Sequence, residues 1–218
     1  QCIYDRSRFY FFLLEFGVSG VFVYFAPYSP FLAIFFAPLS YLDIGTAKFI
    51  FNIINAFLFL FSLIRIIKYL DISNEPALLL LPLICFIPIR NGILFGQFYM
   101  LLFSFLVEGY LMYKKDRIVP AMLFWTIPTA LKIAPGILVF YLIKKRDFKS
   151  ILVYSSIGGL ILISTGLLVG FDIFTFYLTS ISPKVSFGEI VSAGFLPNQS
   201  PLMFFKYLFV SDLVENEH

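Results

Sequence analysis

Apolar runs of roughly 15 to 26 residues recur along this chain, bounded by short charged or Pro- and Gly-containing stretches, and that rhythm leaves few folds open. Runs of that length match the ~20 residues a helix needs to cross the ~30 Å hydrocarbon core of a bilayer. In lipid every backbone polar group must find its partner inside the chain, so only helices and closed barrels span it. Barrel strands would read as ~10-residue alternating segments, and these runs do not alternate. Hydrophobic residues make up 60% of the 218 and charged ones 13%, with a mean hydropathy of +0.92. No soluble domain of this size hides that much apolar surface. The expectation is an all-α, polytopic integral membrane protein with one transmembrane domain over 1–218. Within it, 1–28 is an external loop and interfacial segment, 29–170 the helical membrane core, 171–200 an external loop, and 201–218 the start of a further helix or a tail.

The net charge of +3 is unevenly spread, because seven of the sixteen Lys and Arg lie in two clusters, Lys114–Arg117 and Lys144–Lys149. The positive-inside rule puts both in the cytoplasm. Clusters so short, set between apolar runs, are topology signals, and no nucleic-acid partner is expected. Cys2 and Cys85 have neither metal-site spacing nor a disulfide framework. The chain opens on Gln1 without Met or a signal peptide and closes abruptly after the apolar run Leu202–Val210, so it is expected to be incomplete at both ends.

Lys48–Leu70 is the best single helix by length, Ile93–Tyr113 and Ile151–Phe171 are further spans, and Ala77–Ile89 is too short to cross unaided. Gly158, Gly159, Gly166 and Gly170 are expected to let neighbouring helices approach. The stretch between the basic clusters is the informative one. If both clusters are cytoplasmic, residues 118–143 must enter and return, yet 26 residues at 1.5 Å each supply about 39 Å against roughly 60 Å for two crossings. Two short helices meeting near Lys132-Ile133-Ala134-Pro135, with Pro128 and Pro135 breaking the ladder, satisfy both conditions. A single tilted span, with one basic cluster outside, is the rival. Broken backbone at membrane depth is tolerated only where it lines a cavity or is buried in protein.

Lys132 is the one charge inside that stretch. An intramembrane ammonium is expensive unless it faces a polar cavity or an anion, so it marks a site by default. Other polar islands stand at the ends of apolar segments: Asp5, Tyr28-Ser29-Pro30, Arg90-Asn91-Gly92, Gly96-Gln97 and Asn198-Gln199-Ser200. A carboxylate can take a proton from an attacking hydroxyl, while cations and amides hold a leaving phosphate. Each has a plainer reading: Asp5 as a solvated carboxylate, Gln97 as a bridge between helices, Arg90 as a snorkelling helix end. Glu108 is expected at the interface near the cytoplasmic end.

From about Tyr4 to Ser200 this collection resembles the GT-C superfamily of polytopic glycosyltransferases, and most closely glycosyltransferase family 87, the polyprenol-phosphate-mannose-dependent mannosyltransferase type. The resemblance is strongest from Gly96 to Arg146, where Gly-Gln opens a helix, a basic loop follows, Lys132-x-x-Pro135 sits in the next apolar stretch, and a second basic loop closes it. Upstream, Tyr28-x-Pro30 with the following Pro38-Leu39 looks like the family's Tyr-x-Pro segment, and Asn198-Gln199-Ser200 looks like its late external motif. The family's Asn two residues after the Gln is here Tyr99.

The resemblance implies a GT-C-like helical bundle that moves a hexose, most plausibly mannose, from a polyprenyl-phosphate donor to an external glycan or glycolipid. Asp5 would be the general base of an inverting reaction and Lys132 would face the donor phosphate. Gln97 and Asn198 would hydrogen-bond sugar or phosphate, Arg90 would be a second phosphate ligand, and Tyr28 would line the substrate site. The setting implied is the plasma membrane with the active site on the external face. No cofactor is expected beyond the lipid-linked co-substrate: the chain has no His, Cys or acidic cluster at metal-ligand spacing and no Gly-rich nucleotide loop. The rival class is a transporter or channel subunit in which Lys132 and broken helices bind a transported anion.

Overall fold

The computed structural model describes residues 28–72, 75, 89–94 and 96–186, together with Arg8, Phe11, Leu14 and Glu15, and among the described residues every regular element is helical. The chain divides into two compact units, Phe31–Ser164 and the paired segments Gln1–Pro30 with Thr165–His218.

The first unit opens with a short helix α1, Phe31–Phe36, which gives way to a 3-10 turn, Ala37–Tyr41, at Pro38. Proline has no N–H to extend the α ladder, so the helix tightens and ends there. Asp43 then starts α2, Ile44–Leu70, its carboxylate accepting the Thr46 N–H at 3.0 Å. At the far end Asp71, at φ 53°, donates its N–H back to the carbonyls of Ile67 and Lys68. At 1.5 Å per residue α2 is about 40 Å long, enough to cross a bilayer.

Its faces are inverted relative to a soluble helix. The buried side chains are Asn55 and Ser62, while Phe49, Phe57, Leu60 and Ile64 are 53% to 66% exposed. Water would reject that outer face; lipid accepts it, and the polar groups turn inward to find partners.

Ile93–Tyr113 is not one helix, contrary to the reading of the sequence. A helical stretch at 89–94 ends where Gly96 takes φ +63° and the Gln97 N–H turns back to the Gly92 carbonyl at 2.8 Å. Glycine, without a Cβ, enters this left-handed region freely. Helix α3 therefore begins only at Tyr99 and runs to Tyr113, 15 residues or about 22 Å, short of a full crossing. The expected short segment Ala77–Ile89 lies outside the described residues except for Ile89.

Helices α2 and α3 run parallel, since Asn55 meets Gln97 at one end and Tyr69 meets Tyr110 at the other, ring centroids 6.1 Å apart. Between these points Glu108 pairs with Arg65 and accepts the Ser62 hydroxyl at 3.3 Å. Glu108, expected at the interface near the basic loop, is buried against α2. The cation and hydroxyl waiting on α2 offset the desolvation that would otherwise push the carboxylate to the surface.

A tight turn at Lys114–Arg117, with Asp116 at φ 57°, leads into α4, Ile118–Leu131. Trp125, 1% exposed, is the centre of the core, packed with Ala121, Met122, Leu142 and Tyr154. Its indole N–H donates to the Leu106 carbonyl at 3.1 Å, and the close approach is possible because residue 109 is Gly: a Cβ there would collide with the indole ring. Pro128 interrupts the α4 ladder, and nearby hydroxyls take up main-chain carbonyls, Thr126 to Met122 at 2.6 Å and Thr129 to Trp125 at 2.9 Å.

Helix α4 stops at Lys132, whose backbone is extended at φ −148°, ψ 127°. A 3-10 turn, Ala134–Ile137, and α5, Leu138–Lys144, carry the chain back. The return is demonstrated at the basic end, where the Tyr113 hydroxyl donates to Asp147 at 2.7 Å and Lys145 lies over the rings of Tyr113 and Tyr141. Both basic turns therefore lie together and the stretch between them is a hairpin, not a tilted span. Asp147 also accepts the Ser150 hydroxyl at 2.6 Å and the Ser150 N–H at 3.1 Å, opening α6, Phe148–Val169. These donors, the Ser150 hydroxyl foremost and Tyr113 after it, hold the Asp147 carboxyl below the usual carboxylate range against the opposing pull of burial.

Of the small residues on α6, Gly158 has Thr126 beside it, 3.6 Å from where a Cβ would stand, whereas Gly159 has no neighbour that close among the described residues. In the second unit, α6 ends at Gly170, φ +101°. There α7, Phe171–Phe176, a π turn, Tyr177–Ile181, and α8, Ser182–Ser186, follow, helical turns within the segment 171–200 expected to be an external loop. A Cβ on Gly166 would meet the Phe171 ring, so glycine again permits the fold-back.

Candidate functional site

Three side chains in the first half of α2, Lys48, Asn52 and Asn55, recur at i, i+4 and i+7 and so share one face. All three donate to carbonyls of the chain entering α3: Lys48 to Leu94 at 2.7 Å, Asn52 to Ile93 at 3.1 Å and Asn55 to Gln97 at 3.1 Å. The Ile93 and Leu94 carbonyls close the helical stretch 89–94 and the Gln97 carbonyl lies in the link after it, and in an apolar setting carbonyls at such a break are satisfied by side chains. The α2 face thereby fixes where Gln97 and Tyr99 stand. Among the described residues the Oδ1 atoms of Asn52 and Asn55 are buried without a partner, leaving two acceptors on this face.

Lys132 reaches the same end of the unit from α4. Its ammonium donates to the Tyr99 hydroxyl at 3.0 Å and lies 4.6 Å from that ring's centroid. Because Lys132 and Tyr99 are at one end of the α3–α4 hairpin and the Lys114–Arg117 turn at the other, this cation stands opposite the basic turns. Asp43 is at the same end, and the Thr46 hydroxyl and N–H hold its carboxyl below the usual range. At this end Lys132 and Tyr99 offer a positive charge and a phenol at a break in two helices, suited to an anion, while the amide oxygens and Asp43 can accept from a hydroxylated ligand.

The positions read from the sequence fall as follows. Lys132 is half-buried and Gln97 half-buried, two residues before Tyr99. Arg90 is exposed on the helical stretch 89–94 that α2 anchors through Ile93 and Leu94. Tyr28, half-buried at a bend, belongs to the second unit. Asp5 and Asn198 lie outside the described residues.

Sequence reasoning passed over Lys48, Asn52, Asn55, Ser62 and Arg65. Their signal was available, because together they trace one polar stripe along an otherwise apolar helix. It also treated Tyr99 as a departure from a pattern and not as a partner of Lys132.

Helices that bury Asn and Ser, expose Phe, Leu and Ile, and break at a half-buried cation define a membrane-embedded α-helical protein with a polar site at one end. Glycosyltransferase family 87 matches residues 25–214, most of the chain, and the chain belongs to that family. It is accordingly a membrane glycosyltransferase. No curated protein and no solved structure is significantly similar to it.

Proposed function

We propose that the protein transfers a hexose, mannose in this reading, from a polyprenyl-phosphate donor to a glycan or glycolipid acceptor, on a GT-C-like bundle in the plasma membrane with its site on the external face. The observation that carries this reading is the Lys132 ammonium, held by Tyr99 at the end of the hairpin remote from both basic turns. With those turns cytoplasmic by the positive-inside rule, that end faces outward. A lipid-linked donor suits the setting, since its polyprenyl chain stays in the bilayer while its phosphate meets the polar end.

In this reading Asp5 takes the proton of the acceptor hydroxyl, the hydroxyl oxygen attacks C1 from the face opposite the phosphate, and the C1–O bond to phosphate breaks with inversion. Negative charge gathers on the departing polyprenyl phosphate, and Lys132 stabilises it where it develops. Arg90 is a second phosphate ligand; Gln97, Asn198 and Tyr28 orient the sugar.

Membranes carrying the chain are supplied with radiolabelled polyprenyl-phosphate mannose and product is counted. Asp5→Ala abolishes transfer with expression intact, and Lys132→Glu raises the donor KM. Undiminished transfer by Lys132→Glu would overturn the reading, whereas solute flux lost without any glycosylated product in the parent would favour an anion transporter.

A further inference from the structure

The contact between Tyr99 and Lys132 determines more than where the lysine points. An ammonium has three N–H donors and no acceptor, and a phenol has one O–H donor and oxygen lone pairs. Lys132 spends one N–H on the Tyr99 oxygen at 3.0 Å. The phenol proton must then point away from the ammonium, because the lone pair facing Lys132 is occupied. Two N–H groups and one O–H are left to face outward from the pair. Accepting from a cation also polarises the phenol, so its O–H becomes a stronger donor. Tyr99 is 45% exposed and Lys132 half-buried, so a ligand can reach both. The pair stands at the first turn of α3. The partial positive charge of that helix end has the same sign as the lysine.

We propose that Tyr99 and Lys132 together form one anion-binding pair for the phosphate of the lipid-linked donor, with Tyr99 donating its O–H directly to a phosphate oxygen. Tyr99 is then a binding residue in its own right. The inference rests on the reading of this end as the donor-phosphate side. The pair recognises an oxyanion because it presents a positive charge beside an O–H donor; an uncharged alcohol of the same chain length meets the same groups without the charge-assisted bonds and gains far less.

The test uses the full chain in lipid nanodiscs and two probes, polyprenyl phosphate and the uncharged polyprenol of equal length, and reads the ratio of their affinities. The parent prefers the phosphate. Tyr99→Phe keeps the ring but loses the hydroxyl, and its preference falls about tenfold, the lower range for a hydrogen bond to a charged group, with polyprenol affinity unchanged. Lys132→Met loses the preference further, and adding Tyr99→Phe to it has little additional effect, because the phenol is no longer polarised or oriented. If Lys132→Met loses the preference while Tyr99→Phe retains it, the pair is refuted and the donor-phosphate reading stands. If polyprenol affinity falls in step with that of the phosphate in Tyr99→Phe, the tyrosine only supports the fold and the pair is likewise refuted. A parent without preference, or a preference that survives both substitutions, sinks the donor-phosphate reading itself.

Discussion

Removing the carboxylate of Glu108 should destabilise the bundle sharply, and the size of the effect follows from its surroundings. The Glu108 side chain is 10% exposed and its partner Arg65 is 34% exposed. The carboxylate also accepts the Ser62 hydroxyl. Breaking a buried pair by deleting one partner costs about 3–5 kcal/mol, because the surviving charge is left without compensation. Arg65 is partly open and stands five residues from the end of α2, about 7.5 Å, so its guanidinium can snorkel outward. That relief brings the expected loss for Glu108→Ala to about 2–3 kcal/mol. Glu108→Gln, which keeps an acceptor for Arg65 and Ser62, should fall between Ala and the parent. The double variant Arg65→Met with Glu108→Leu removes both charges and should recover to within about 1 kcal/mol of the parent, since apolar replacement of a buried pair is often neutral. The measurement is reversible unfolding by sodium dodecyl sulfate in mixed micelles, followed by circular dichroism. A double variant as unstable as Glu108→Ala alone, or a Glu108→Ala protein as stable as the parent, would show that the pair is not a buried charge interaction.

Further perturbations test other joints of the structure. Gly109→Ala should cost about 1–3 kcal/mol by overpacking, because the new Cβ would overlap the indole of Trp125 and come within 3.1 Å of the Ala121 carbonyl oxygen; as Trp125 is the single tryptophan, a red-shifted emission reports its displacement directly. Asn55→Ala leaves the Gln97 carbonyl without its donor and should lower stability by about 1–3 kcal/mol, while weakening donor binding through the altered position of α3; an unchanged donor KM would show that the anchoring is irrelevant to the site. Asp147→Ala removes both the cap of α6 and the acceptor of Tyr113, a loss of about 1–2 kcal/mol at neutral pH. The folded Asp147 carboxyl is held below its ordinary value of 3.8, so its stabilisation is present at higher pH and is lost as pH falls through the folded value. Acid titration of the parent should therefore show a loss of stability below about pH 4 that is smaller in Asp147→Asn.

Much of the architecture was legible in the string of residues. The long apolar run ending at Leu70 predicted α2, missing only its first turn, because Lys48 looked like a boundary when Asp43 was the cap. The mismatch between the length of residues 118–143 and two full crossings predicted the hairpin and its reversal at Lys132. Failure came where one residue overrode an apolar pattern. Gly96 split the run from Ile93 to Tyr113, because hydropathy measures affinity for lipid and says nothing of a backbone angle.

Solvent and class follow from the residues alone: apolar runs of bilayer length admit only helices whose hydrogen bonds are internal, and basic clusters mark one end. Which polar residues meet was decided only by the tertiary structure. Glu108 and Arg65 are 43 residues apart in the chain, Tyr99 and Lys132 33 apart, and no local pattern links either pair. Their union depends on α2 and α3 running parallel and α4 returning beside α3, and that arrangement is set by how Trp125 seats on Gly109 and how the α2 polar stripe finds its partners. Such choices belong to packing, because in lipid a buried polar group has no water to fall back on and must settle against another helix.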